Sequence, residues 1–168
     1  LFVTLGAFMP ASEQQRIVDD SGAVTIFEAV PGSKTVAMHL FAAAKGCQET
    51  PERHGWRHLL EHLLAKGTDS KLAFKLESSG WTISAETFRD FTTYKLEGPA
   101  NRWQIGFQAL AEIVAARKFA ASELLLETKI IKQKLALAIL KEKKKKKKWM
   151  LAYGNAGLDP SGTSDAIA

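Results

Sequence analysis

The stretch Trp56-Arg57-His58-Leu59-Leu60-Glu61-His62-Leu63-Leu64-Ala65-Lys66-Gly67-Thr68 decides how the rest of the chain is read. Trp56, Leu59, Leu60, Leu63 and Leu64 recur at three- and four-residue intervals, which is the period of one face of a helix. His58 and His62 are four residues apart on that helix, so both imidazoles project from the same face, close enough to grip one ion. Glu61 follows His58 by three residues and reaches the same face. Metal-assisted hydrolysis needs such a set. A bound zinc ion lowers the pKa of its water toward about 7, and a neighbouring carboxylate accepts the proton, so water becomes the nucleophile without a covalent intermediate. The bare string His-x-x-Glu-His has modest specificity, because any amphipathic helix can carry two surface histidines. Its flanks and its surroundings must decide.

Working outward, residues 23–30 and 35–42 are β-branched and aromatic runs separated by Pro31-Gly32-Ser33-Lys34, which predicts two strands joined by a Pro-Gly turn. Residues 45–54 are polar and contain Gly46 and Pro51, a loop leading into the motif helix. A second helix is expected from about Asp69 to Ser79, ending at Gly80. Residues 81–85 and 88–96 alternate apolar and polar side chains as strands do. Pro99 can open the next helix in its first turn, where a missing N–H costs nothing, and Trp103, Ile105, Phe107, Leu110, Ile113 and Val114 fit its buried stripe. From Ala121 to about Met150 no Gly or Pro interrupts a strongly helical composition. This order of strands and helices predicts an α+β fold, two layers in which helices cover one face of a mainly antiparallel sheet.

A chain of 168 residues is long enough for one domain with its own core. Its 46% apolar and 24% charged residues are ordinary for a globular protein, and no window approaches the roughly 18 apolar residues of a membrane span. The net charge of +5 is local: residues 141–148 hold seven Lys and one Glu, a sum of +6, so the remainder sums to −1. Nucleic-acid surfaces spread basic and aromatic residues over a folded face, whereas this run is a low-complexity tract of solvated charge, so no nucleic-acid partner is expected. The single cysteine, Cys47, cannot form an internal disulfide. Neither a Gly-rich phosphate loop nor a Gly-x-Ser-x-Gly elbow is present, which removes nucleotide-dependent and serine-hydrolase chemistry. Residues 1–12 are apolar and end in small residues. They read either as the tail of a secretory signal peptide, which implies an exported or periplasmic location rather than a cytoplasmic one, or as the first strand.

With its flanks included, the segment from Arg57 to Thr68 resembles the signature of the pitrilysin/insulinase family of zinc metallopeptidases, in which the inverted motif is followed by apolar residues and a Lys-Gly-Thr turn. The resemblance extends over about residues 18–156. Glu49, Pro51 and Gly55 match the family's loop before the motif helix, and Gly80-Trp81, Ala85-Glu86-Thr87-Phe88 and Asp90-Phe91-Thr92-Thr93-Tyr94 match its active-site edge strand and the strand that follows. The resemblance implies that residues 13–168 form one peptidase-like domain, the amino-terminal half of a clamshell closed by a second homologous half or subunit. It further implies zinc held by His58 and His62, Glu61 as general base, and a peptide substrate paired to Ala85, Glu86 and Thr87 by β-augmentation.

The family's third zinc ligand is a Glu on a long helix, seven residues beyond another Glu that itself follows a Phe by eight. Phe119 and Glu127 occupy those two anchors, which puts Lys134 at the ligand position. An ammonium has no lone pair to give a metal. Two readings follow from the resemblance: a zinc metalloendopeptidase whose site is completed by Glu127, which otherwise supports a histidine from behind, or a catalytically inactive homologue serving as a peptide-binding or assembly subunit. His39, in an apolar strand, reads as a core or edge histidine, and His54, in a polar loop, as a solvated one.

Overall fold

The computed structural model describes residues 2–4, 14–43, 49–67, 71–116 and 118–142. Cys47, residues 5–12, the start of the second helix at Asp69, and the lysine run from residue 143 onward lie outside the described residues. The elements are β1 (Phe2–Thr4), β2 (Gln14–Val18), β3 (Val24–Glu28), β4 (Thr35–Ala43), α1 (Trp56–Lys66), α2 (Lys71–Ser78), β5 (Thr82–Thr87), β6 (Phe91–Pro99), α3 (Trp103–Ala115) and α4 (Ala121–Glu142). The chain is α+β, and its contacts divide it into two compact units.

The first unit comprises residues 1–42, 65–85 and 93–117 and carries most of a six-stranded sheet in the order β2-β3-β1-β4-β6-β5. β2 and β3 pair antiparallel, with Gln14 opposite Glu28, across a tight turn. There the Asp19 carboxylate accepts hydrogen bonds from the N–H groups of Ser21 and Ala23, and Gly22 takes a φ of 79°. β3 and β4 are adjacent in sequence but not in the sheet. β1 lies between them, parallel to β3 (Phe2 opposite Val24) and antiparallel to β4 (Phe2 opposite Phe41). The link through Pro31-Gly32 therefore spans a strand's width instead of closing a hairpin.

On β6 every second residue is buried, Tyr94, Leu96 and Gly98 among them, which is the period-two pattern of a strand with one face in the core. Trp81 is 1% exposed and lays its indole between Gly98 of β6 and Gly106 of α3, where a Cβ at either glycine would run into the ring. Burying an aromatic side chain of this size contributes about 1.5–3 kcal/mol.

The packing around Trp81 corrects the stripe expected for α3. Gly106, Ala109, Leu110 and Ile113 are the buried residues of this helix, whereas Trp103, Phe107 and Val114 are 48%, 58% and 45% exposed. The indole requires a glycine at position 106, which turns the face carrying Gly106, Ala109, Leu110 and Ile113 inward and leaves Trp103, Phe107 and Val114 at the border. They line a cleft of about 740 Å³ together with Thr25, Phe27, Val36, Met38 and Leu40, which project from one face of β3 and β4. Pro99 ends β6 and precedes a short 3₁₀ turn, Ala100–Arg102, rather than opening α3 itself.

The second unit comprises residues 43–64, 86–92 and 118–168. Its small apolar core is Ile131 and Leu135 of α4, with Leu59 of α1 packed against them. α4 inverts the usual pattern near its start: Leu124, Leu125 and Leu126 are exposed, whereas Glu127 is 2% exposed. Glu127, Ile131 and Leu135 follow one another at i+4, so a single face of the helix carries both the core contacts and the buried carboxylate.

Candidate metal centre

All the side chains at issue in this centre belong to the second unit. α1 supplies His58, Glu61 and His62 from one face, and the two imidazoles lie edge to face with centroids 4.9 Å apart. α4 supplies Glu127 and Lys134, which share a face because seven residues make nearly two turns. The two α4 side chains address different nitrogens of one ring. Glu127 Oε2 lies 2.8 Å from His62 Nδ1, and Lys134 Nζ lies 3.3 Å from His62 Nε2.

Burial holds the His62 pKa below its ordinary 6.5. Lys134 and His58 push the same way, and the hydrogen bond to Glu127 and the charge of Glu61 oppose them. A neutral ring satisfies both contacts at once, donating Nδ1–H to the Glu127 carboxylate and accepting at Nε2 from the lysine ammonium. Glu61 is 7% exposed and accepts a 2.7 Å hydrogen bond from the Thr87 hydroxyl, which ties the motif's acid to the end of β5.

The start of α1 is fixed by contacts that no local sequence pattern announces. Glu49 Oε1 accepts the backbone N–H of Arg57 at 3.0 Å. The Arg57 guanidinium donates to the carbonyls of Phe88 and Arg89, each at 3.2 Å. No local pattern announces a contact between residues 31 positions apart. His54 is 3% exposed, so the solvated role expected for it is corrected: it is buried in the turn that precedes α1. His39 lies half-buried on β4, beside Phe41.

Zinc bound by protein takes nitrogen, sulfur or oxygen lone pairs, usually three or four of them. Here the position facing Nε2 of His62 carries an ammonium, which has none, and Glu127 is engaged on the opposite side of the ring. Among the described residues no group of three or more His, Cys, Asp or Glu side chains could hold an ion. As arranged, the residues present do not fit a three-ligand zinc site.

A sequence model of the insulinase peptidases, family M16, matches residues 24–151. The chain belongs to this family. It is 25% identical over 127 residues to a Bacillus subtilis protein named as the uncharacterized zinc protease YmxG, a match that covers 73% of this chain and 31% of the relative. Among solved structures it resembles pitrilysin, with a TM-score of 0.79 and 18% identity over 94% of this chain and 18% of that one. It also resembles the peptidase M16 inactive domain from Pseudomonas fluorescens, with a TM-score of 0.78 and 16% identity over 92% of this chain and 40% of that one. The insulinase-family chain thus spans less than a third of the length of the curated relatives it matches. The structural likenesses establish a shared α+β fold.

In this insulinase-family chain β5 lies at one end of the sheet order among the described residues, so Ala85, Glu86 and Thr87 belong to an edge strand there. The strand runs two residues beyond the end expected from its alternation, and the turn to β6 is closed by Phe88 N–H donating to the Phe91 carbonyl at 2.8 Å.

Proposed function

We propose that this chain is a peptidase-like domain that receives an extended peptide along β5, with the backbone of Ala85, Glu86 and Thr87 as the pairing edge. The carrying observation is the Thr87–Glu61 hydrogen bond, which couples the end of the edge strand to the His-x-x-Glu-His helix. An edge strand offers a row of free backbone groups, and an unfolded peptide satisfies them without needing a deep side-chain pocket. The chain spans 31% of its Bacillus subtilis relative, which supports a second homologous half or subunit as the partner that closes over the peptide. In this reading His58, Glu61 and His62 face the bound peptide and Glu127 orients His62. Hydrolysis by this chain alone is not expected, because an ammonium and no lone pair faces Nε2 of His62.

The test is binding of a labelled unfolded peptide and of the same peptide N-methylated at alternate residues. Each backbone hydrogen bond lost should weaken binding by about fivefold, from roughly 1 kcal/mol per bond. Equal affinity for both peptides would rule out pairing at a strand edge.

A second reading is a zinc metalloendopeptidase with His58 and His62 as ligands, Glu61 as base and Glu127 released from His62 Nδ1 to serve the ion. The relative's name as a zinc protease supports it. Under that reading the purified chain carries one zinc and cleaves peptides, and Glu61→Gln abolishes cleavage while leaving zinc content unchanged.

A further inference from the structure

The structure assigns to the Lys134 ammonium the role of a tethered cation: it occupies the Nε2 nitrogen of His62 in place of an ion and presents a hydrogen-bond donor to a peptide carbonyl. Three observations carry this. The ammonium lies 3.3 Å from Nε2, the nitrogen left over once Nδ1 is engaged by Glu127. Two buried carboxylates, Glu61 and Glu127, belong to the same cluster, and buried carboxylates are costly unless a positive charge or strong donors face them. Finally, Lys134 is exposed, so part of the ammonium's hydrogen-bonding capacity remains open to solvent and to a ligand.

An ammonium carries three N–H donors, of which His62 uses one. A backbone carbonyl of a bound peptide is the complementary acceptor. Such a contact orients a peptide and withdraws no electrons through coordination, so it binds where a metal would activate. This ligand assignment rests on the proposed peptide edge at β5, whereas the placement of the cation rests only on His62, Glu127 and Lys134.

The experiment compares the unaltered chain with Lys134→Met, Lys134→Arg and Lys134→Glu. Four quantities are read: zinc retained after dialysis with added zinc, thermal midpoint with zinc or chelator, the ¹⁵N shifts of the His62 ring, and peptide affinity. The unaltered chain should retain far less than one zinc and show the same midpoint in zinc and in chelator. Lys134→Glu should take up one zinc per chain and gain several degrees with it. Lys134→Met should move the His62 Nε2 resonance toward that of a free imidazole lone pair, and weaken peptide binding by about fivefold, one hydrogen bond's worth. Lys134→Arg keeps the charge and should hold midpoint and shift near the original, so a loss in the Met variant cannot be ascribed to repacking alone. Stoichiometric zinc in the unaltered chain, or an unmoved His62 resonance in Lys134→Met, would overturn the assignment. Failure of every version to bind peptide would remove the β5 reading and the carbonyl contact with it, while the zinc and resonance measurements would still decide the place of the cation.

Discussion

Glu49 caps the motif helix through Arg57. One carboxylate oxygen accepts the Arg57 backbone N–H at 3.0 Å, and the other lies 3.6 Å from the Arg57 Nε. The first turn of a helix leaves backbone N–H groups unsatisfied and attracts negative charge, so this one carboxylate answers both demands. Glu49→Ala is expected to destabilise the chain by about 1–2 kcal/mol in urea denaturation, in the range of lost helix caps. Arg57→Ala should instead speed amide hydrogen exchange around residues 88–90, because it frees the carbonyls of Phe88 and Arg89. Unchanged exchange there would show that the guanidinium does not restrain the turn.

A methyl group added at Gly106 has no room beside the Trp81 ring. Gly106→Ala should therefore cost about 1–3 kcal/mol, the usual penalty for overpacking a core, although alanine is the better helix former. Chemical denaturation followed by tryptophan fluorescence measures it. A neutral or stabilising result would mean that α3 shifts freely away from the sheet.

Stability should decline on mild acidification. Burial lowers the pKa of both His62 and His39 from 6.5, with nearby positive charges acting in the same direction, so the unfolded chain takes up protons before the folded chain does. Their contribution is whole above about pH 6.5 and is lost as the pH falls through the depressed folded values. Urea midpoints at pH 7.5 should exceed those at pH 5.5, and His39→Gln should flatten part of that slope. A flat profile in the unaltered chain would contradict the direction assigned to both groups.

The lysine tract at residues 141–148 should bind an oligonucleotide only weakly and without regard to sequence. Charge-driven contacts with phosphates release counterions and fade steeply as salt rises, and the rest of the chain sums to −1 and offers no wider basic surface. Anisotropy titrations should show binding at low salt that is gone near physiological ionic strength. Replacing the run with alternating Glu and Lys should leave fold and peptide binding unaltered, whereas tight binding at physiological salt would demand a nucleic-acid role.

What could be seen in the sequence was whatever depends on short-range periodicity. The spacing of Leu59, Leu60, Leu63 and Leu64 yields α1, and the seven-residue step from Glu127 to Lys134 puts both on one face of α4. Contacts between elements were not legible. That Glu127 and Lys134 meet the two nitrogens of a single imidazole depends on how α1 and α4 pack, and that Arg57 grips the β5–β6 turn depends on the path of the chain between them. The α3 stripe was right for Leu110 and Ile113 and wrong for Trp103, Phe107 and Val114, because periodicity ranks residues by hydrophobicity alone, whereas the Trp81 ring demands the glycine at position 106 on the inward face. His54 misled because a polar neighbourhood in sequence became a packed one in space.

β1 has a cost that its three residues conceal. Because it separates β3 from β4, losing it would not trim the sheet at its margin but split it through the middle, leaving two facing rows of unpaired backbone groups about two strand spacings apart. Open rows of that kind are templates for strands of other molecules, so a chain that lacked residues 2–4 would be prone to assemble with copies of itself through this internal gap before it lost the helices.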